Sequence, residues 1–286
     1  MSDVRAFDNT MLDAFLRCPR YYYFRHVLCI TGRGAKIAAQ FGAAIHEGLD
    51  YHYRGRDLEA MLKVFFENFD IEGDRYRTPE VGKQILTYFH DNYPLESEPF
   101  EVVEVEKGFE IILGEDQAGN PLHYYGRIDL VANMPHYGIL VIDHKTTTVM
   151  SDAYMDTKDP NRQFCGYIIT ADEYYDNVYG AMLSAIGIPR QNKTKANPDP
   201  DVRREITTRN KFEKAEWVNE TAHIVRQIDL CHANNVWPEH APNACRKWNI
   251  PCSFMSLCKQ KVPLHRVRIY PTEFKEDKWV PFENKE

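Results

Sequence analysis

Two strand-length stretches stand in the middle of the chain, Tyr125-Gly-Arg-Ile-Asp129-Leu-Val-Ala-Asn133 and Ile139-Leu-Val-Ile-Asp143-His-Lys145-Thr-Thr. The polar break Met134-Pro-His-Tyr-Gly138 between them predicts a hairpin. If that hairpin is centred on His136, Asp129 and Asp143 face each other with Cβ atoms about 5 Å apart, and Lys145 follows two residues on along the same face. A slip of one residue would send the two aspartates to opposite faces. Leu130, Val131, Val141 and Ile142 around them predict a largely buried sheet, where an unpaired charge is costly.

Upstream, Phe100 to Glu106 and Phe109 to Leu113 predict strand segments broken at Lys107-Gly108, and Gly114 to Pro121 is a turn-rich connection into the hairpin. Helical spacing occurs earlier. Asn9 to Arg17 has a cap candidate and apolar positions at Leu12, Phe15 and Leu16. Residues 38–51 carry His46 beside small residues. Residues 57–92 break near Glu72 and Thr78-Pro79, with Val81, Ile85, Leu86 and Phe89 on one face. Downstream, Asn161 to Ala171 predicts a helix with Gln163 and Tyr167 four apart on one side. Val178 to Ile188 fits a strand or an apolar helix and is taken as a strand, followed by a surface loop at Pro189 to Ala196 and a short strand from Val202. Phe212 to about Asn234 reads as a helix with Trp217, Ile224, Ile228 and Leu230 as core. The alternation of strands and helices makes the fold class α/β.

At 286 residues and 43% hydrophobic the chain can bury a substantial core, and it reads as one domain over 1–286. No run of 18 apolar residues occurs, so no membrane span is expected, and the acidic start lacks the apolar segment of a secretory leader. An intracellular, reducing compartment follows as the expectation. A net charge of −7 argues against a protein that coats nucleic acid through a broad positive surface, but leaves room for a nuclease whose carboxylates hold metal. Arg203, Arg204, Arg209, Lys211 and Lys214 read as a solvated basic face.

Two carboxylates placed as Asp129 and Asp143 are repel each other unless a cation lies between them, and oxygen ligands suit Mg²⁺ or Mn²⁺. Lys145 beside them would orient an attacking water or stabilise charge. Seven cysteines in a reducing compartment point to metal or packing rather than disulfides. Cys29 and Cys165 have apolar or aromatic neighbours and read as core. Cys18 precedes the aromatic run Tyr21 to Phe24, which reads as core or as the wall of a buried cluster, while Cys231, Cys245, Cys252 and Cys258 crowd the C-terminal part.

Gly42-Ala-Ala-Ile-His46-Glu, Gly126-Arg-Ile-Asp129, Asp143-His-Lys145 and Gln163-x-x-x-Tyr167 follow one another in the order of a known family. Over roughly residues 10 to 260 the chain resembles the RecB/AddB-like branch of the PD-(D/E)XK nucleases. The resemblance implies a restriction-endonuclease-like fold, a central mixed β-sheet flanked by helices. It implies Mg²⁺ or Mn²⁺ held by His46, Asp129, Asp143 and the backbone of His144, with Asp129, Asp143 and Lys145 catalytic. Gln163 and Tyr167 would contact the nucleic-acid strand, Tyr167 offering a ring on which a base could stack. The implied activity is a metal-dependent exodeoxyribonuclease acting on single-stranded DNA or DNA ends in recombination, repair or phage DNA metabolism. A helicase or recombination protein is the implied partner, since no Walker-type phosphate loop is present. The alternative is a nuclease-fold subunit that binds DNA or a partner and cleaves little.

The cysteines resemble the iron-sulfur staple of one subset of this branch, with one cysteine before the nuclease core and three after it. The implied ligands of a 4Fe-4S cluster are Cys18, Cys245, Cys252 and Cys258. Segments 10–35 and 231–262 would then form the staple around a 38–230 core. Cys252 and Cys258 keep the family's five-residue gap, whereas six residues rather than two separate Cys245 from Cys252. Cys231 is therefore a substitute for Cys245, and a four-thiolate zinc site is the alternative to the cluster.

Overall fold

Apolar runs that alternate or continue over strand length pair into one mixed sheet. The computed structural model describes residues 5–34, 36–116, 119–190, 198–239, 242–247 and 250–278. The strands are β1 (Arg5–Phe7), β2 (Glu101–Glu115), β3 (Pro121–Met134), β4 (Gly138–Thr147), β5 (Val178–Gly187) and β6 (Asp201–Thr207). Their order is β1-β3-β4-β5-β6, with β2 also paired to β3. β3 and β4 are antiparallel, β4 and β5 parallel, β5 and β6 antiparallel. The longer helices are α1 (Asn9–Arg17), α2 (Ile37–Tyr53), α3 (Leu58–Asn68), α4 (Pro79–Asn92), α5 (Arg162–Tyr174) and α6 (Lys211–Asn234). This is the helix-flanked mixed sheet expected of a restriction-endonuclease-like fold.

The hairpin register is centred on His136: Leu130 faces Ile142 and Met134 faces Gly138. The turn works because His136 and Gly138 take left-handed φ values of 70° and 111°. At Gly138 a Cβ would also fall 2.1 Å from the Asn177 carbonyl oxygen, so a side chain there would break the turn.

The chain groups into two compact units. One comprises residues 36–109 and 127–214. Its core joins Phe41, Ile45 and Leu49 of α2, Met61 and Phe65 of α3, and Ile85, Leu86 and Phe89 of α4 to Leu130, Ala132, Leu140, Ile142, Met182 and Ile186 of the strands. Those strand positions are even-numbered, so the odd-numbered face of β4 is turned the other way, and α5 packs on β4 and β5. Polar side chains start these helices: Asp57 accepts from the Ala60 N–H, Thr78 from Val81 with Pro79 in the first turn, and Asn161 from Gln163 and Phe164. Each such cap contributes about 1 kcal/mol.

The other unit comprises 1–35, 110–126 and 215–286. Phe24, Ile30, Phe254, Leu257 and Phe274 form a small cluster there, with Cys252 and Cys258 packed against it. Short ladders accompany it, Ile30–Gly32 with Phe274–Glu276 and Arg246–Lys247 with Ile250–Pro251. Phe24 and Tyr22 are buried, as the aromatic run suggested.

Several expectations change. Leu16 and Leu230 are 42% and 60% exposed, not core. Leu16 lies in the last turn of α1, and Leu230 lies two positions past Ile228, off the stripe of Trp217, Thr221, Ile224, Val225 and Ile228. The two strand segments before the hairpin are one strand, β2, whose distortion falls at Glu106 with φ 53° rather than at Lys107-Gly108. The basic run is solvated only in part: Lys211 is exposed and Arg203 reaches the exposed Asp152, whereas Arg204 pairs with the buried Glu98, Arg209 is buried beside Asp159, and Lys214 pairs with Asp172. Residues 191–196 of the loop expected after β5, and 117–118 of the connection into β3, lie outside the described residues.

Candidate active site

Asp143 is the most deeply buried acid of the hairpin, 1% exposed. Its Oδ1 accepts hydrogen bonds from Lys145 Nζ at 2.8 Å and from Gln163 Nε2 of α5 at 3.3 Å. Gln163 Nε2 also donates to the Tyr167 hydroxyl at 2.7 Å, and that hydroxyl donates to the Arg127 carbonyl of β3 at 2.9 Å. One chain of bonds therefore runs from β4 through one turn of α5 to β3. The second oxygen of Asp143, Oδ2, is buried and accepts no hydrogen bond among the described residues, although the Lys145 ammonium lies 2.8 Å away.

Asp129 is held from two sides. Its Oδ2 accepts from the backbone N–H of His144 at 2.8 Å and lies 3.3 Å from His46 Nδ1 of α2. Glu106, aimed by its left-handed backbone, completes a set with His46 and Asp129 in which one ligand atom from each lies within 4.8 Å of the others. Arg127 Nε sits 2.7 Å from Glu106 Oε2.

The electrostatics follow from this packing. Burial pushes the Asp143 carboxyl up to about 6, with the Asp129 charge adding to it and Lys145 opposing. Burial would raise Asp129 as well, but His46, Lys145 and His144 outweigh it and hold that carboxyl well below the usual range. Burial likewise pushes Glu106 up to about 7 against the pull of Arg127. Burial opposes the charged forms of His46 and Lys145, yet the aspartates prevail and raise both. Glu106 and Asp129 with His46 form the set that fits a cation, and Asp143, whose charge acts on Asp129, lies beside that set rather than in it. Oxygen donors joined by one imidazole suit Mg²⁺ or Mn²⁺.

The fold thus brings His46, Asp129, Asp143, Lys145 and Gln163 together. His144 takes part through its N–H. Its imidazole is stacked on Tyr53 at 5.5 Å, edge-on to Phe89, and pushed down to about 3 by burial, with both ring nitrogens unpartnered among the described residues. Tyr167 is 6% exposed and packs edge-on against Phe109, so its ring offers no face to a base; what it does is anchor Gln163. Glu106 was missed because a left-handed, non-glycine residue inside a strand has no sequence signature. The one available hint was an acid ending the alternation Val103-Glu104-Val105-Glu106.

Cys18, Cys245, Cys252 and Cys258 all belong to the second unit. The Cys252 N–H donates to the Cys245 carbonyl at 2.8 Å. Burial first, then the proximity of Cys18 and Cys245, raises the Cys252 thiol, and burial pushes Cys258 up to about 11 while Arg20 hydrogen-bonds it and opposes the shift. Cys231 on α6 is raised by burial alone. Among the described residues no three of these sulfurs lie within 4.8 Å of one another.

No helix among the described residues is long and apolar enough to cross a membrane. The sequence matches no curated protein. Among solved structures, a provisionally named exonuclease from Eubacterium rectale aligns over 90% of this chain and 94% of its own, at 12% identity and a TM-score of 0.53, which is a likeness of fold. SSO0001 aligns over 92% of this chain and 90% of its own at 14% identity, with a TM-score of 0.36. The sequence model of one family matches residues 9–259, nearly the whole chain, and by that match the chain belongs to the PD-(D/E)XK nuclease superfamily.

Proposed function

We propose that this protein is a metal-dependent deoxyribonuclease that hydrolyses phosphodiester bonds at single-stranded DNA or DNA ends, as an exonuclease. The observation that carries the reading is the buried Asp143–Lys145 pair beside Asp129, next to the His46–Glu106–Asp129 set of possible metal ligands. A carboxylate so deeply buried is costly, and its place beside Asp129 is accounted for by a role in the site rather than by stability. When bound, Mg²⁺ or Mn²⁺ supplies Lewis-acid polarisation of the phosphate and a lower pKa for the attacking water. His46, Glu106, Asp129 and Asp143 are the residues that would hold it.

The chain's own groups do the rest. Lys145, kept protonated by both aspartates, sets a fixed positive charge where negative charge develops on the phosphate. Gln163, fixed by Tyr167, holds Asp143 in one rotamer. The His144 N–H does the same for Asp129. The exonuclease reading follows the RecB/AddB-like motif order and the designation of the fold relative. A setting in recombination, repair or phage DNA metabolism, with a helicase or recombination protein as partner, belongs to the same proposal.

The 4Fe-4S cluster on Cys18, Cys245, Cys252 and Cys258, stapling segments 10–35 and 231–262, is also part of it. The Cys252 N–H bond to the Cys245 carbonyl, and the packing of Cys252 and Cys258 against one small apolar cluster, support the assignment. A single zinc would draw its four sulfurs to about 3.8 Å of each other, given Zn–S bonds near 2.3 Å. In a cluster each thiolate binds a different iron, so a wider spacing suits it better.

The test is digestion of end-labelled linear and circular single-stranded DNA by anaerobically purified protein with Mg²⁺ or Mn²⁺, beside Asp143→Ala. Loss of linear strands with wild type alone is the expected result. Cutting of circles would replace exonuclease by endonuclease. Equal behaviour of the two proteins would overturn the nuclease reading in favour of a DNA-binding or partner-binding subunit.

A further inference from the structure

The turn from Gly73 to Arg77 is built around Asp74. Its Oδ1 accepts the N–H groups of Tyr76 and Arg77 at 2.8 and 2.9 Å, and its Oδ2 accepts from the Arg77 guanidinium at 2.8 Å. Gly73, at φ 90°, lies so close to the returning chain that a Cβ would fall 1.9 Å from the Arg77 oxygen. The turn therefore fixes Tyr76, whose half-buried ring packs against the core of its unit.

That ring carries two cations. The guanidinium of Arg75 lies 5.4 Å from its centroid and that of Arg190 lies 5.0 Å from it. Both arginines are exposed, and among the described residues neither has a carboxylate partner. Asp74 is engaged by Arg77, while Glu80, held ionised by its own N–H and the Thr78 hydroxyl, stands on the cavity wall as the opposing charge that the two guanidinium groups must outweigh. Beside Arg75 and Tyr76 opens a cavity of ≈ 560 Å³, lined also by Thr78, Glu80, Val81, Gln84 and Pro189. None of its lining residues belongs to the carboxylate site.

A guanidinium stacked on an aromatic ring loses rotamer freedom and keeps its N–H fork free. Phosphate oxygens match that fork with two parallel hydrogen bonds. We propose that Arg75 and Arg190, ordered on Tyr76, form a subsite for the phosphodiester backbone of a nucleic-acid strand, separate from the carboxylate site. The inference rests on the reading that the protein acts on DNA.

The experiment is binding of a labelled oligothymidylate by the full chain in EDTA across a salt series. Arg75→Gln/Arg190→Gln should bind about tenfold more weakly at ~0.1 M salt, with a log–log salt slope smaller by about 1 to 2. Arg75→Lys/Arg190→Lys should keep the slope and still lose affinity, because lysine is a point charge without the fork. Wild-type affinity and slope in the glutamine variant would overturn the subsite. Wild-type affinity in the lysine variant would overturn the ordered fork, and equal competition by thymidine monophosphate and by oligothymidylate would overturn a strand as the occupant. Thermal unfolding of both variants guards against misfolding. Failure of the nuclease reading is seen separately, as strand binding by wild type without metal-dependent cleavage.

Discussion

In the carboxylate site each acid faces a cation supplied by the protein: Lys145 on Asp143, His46 on Asp129, Arg127 on Glu106. The cysteine region is arranged otherwise. Arg20 bonds Cys258, but burial keeps the Cys252 and Cys258 thiols protonated, and the small cluster around Phe24 and Phe254 is surrounded by two- and three-residue strands. The first region has its charges balanced by the chain itself, so its fold does not wait for a metal. In the second, Cys252 and Cys258 pack on a cluster of five buried residues, and ligation there would add folding energy. Loss of metal should therefore cost activity in one region and structure in the other.

The largest effect expected is on cleavage. Asp143→Ala should lower the rate by about 10³-fold or more, with thermal unfolding changed little, since the Lys145 side chain is 41% exposed and keeps Asp129 as a counter-charge. A large drop in melting temperature would break the comparison from the site's side. Next, Cys252→Ser in anaerobically purified protein should abolish visible absorbance and bound iron and destabilise its unit by roughly 3 kcal/mol or more. Retention of stability and metal would break it from the other side.

A pH effect of similar size should appear in the cysteine-bearing unit. Burial first, then Arg25, pushes His26 from 6.5 down to about 4. Between those values the unfolded chain binds a proton that the folded chain does not. Stability should thus be lost as pH falls from about 6.5 to about 4, by at most roughly 3 kcal/mol, and level off below. Urea unfolding at several pH values checks this, and His26→Phe should remove most of the slope. The smallest effect is at Gln163. Gln163→Ala frees one rotamer of Asp143 and should cost about tenfold in metal affinity or rate, read by Mn²⁺ titration and by cleavage, with stability nearly unchanged.

What the sequence made legible was what depends on short-range pattern. The apolar runs and the polar break at 134–138 sufficed to place the hairpin, whose register proved to be the His136-centred one that the sequence left as a condition, and four-residue spacing sufficed to set Gln163 beside Tyr167. What depends on distant partners was not legible. The run from Arg203 to Lys214 looks free until Glu98, Asp159 and Asp172 arrive from other elements. Glu106 enters the site through a backbone angle that side-chain chemistry does not encode. Leu230 has the right residue type but the wrong helical phase.

The hydrogen bond that steadies Asp129 comes from the main chain of residue 144. Every amino acid but proline carries that donor. Side-chain scanning at this position would report only on the imidazole packed against Tyr53 and Phe89, and would leave the amide itself untested. Part of the carboxylate site is in this sense written in the path of the strand, and only a change of backbone, such as an ester in place of the amide, would make it visible.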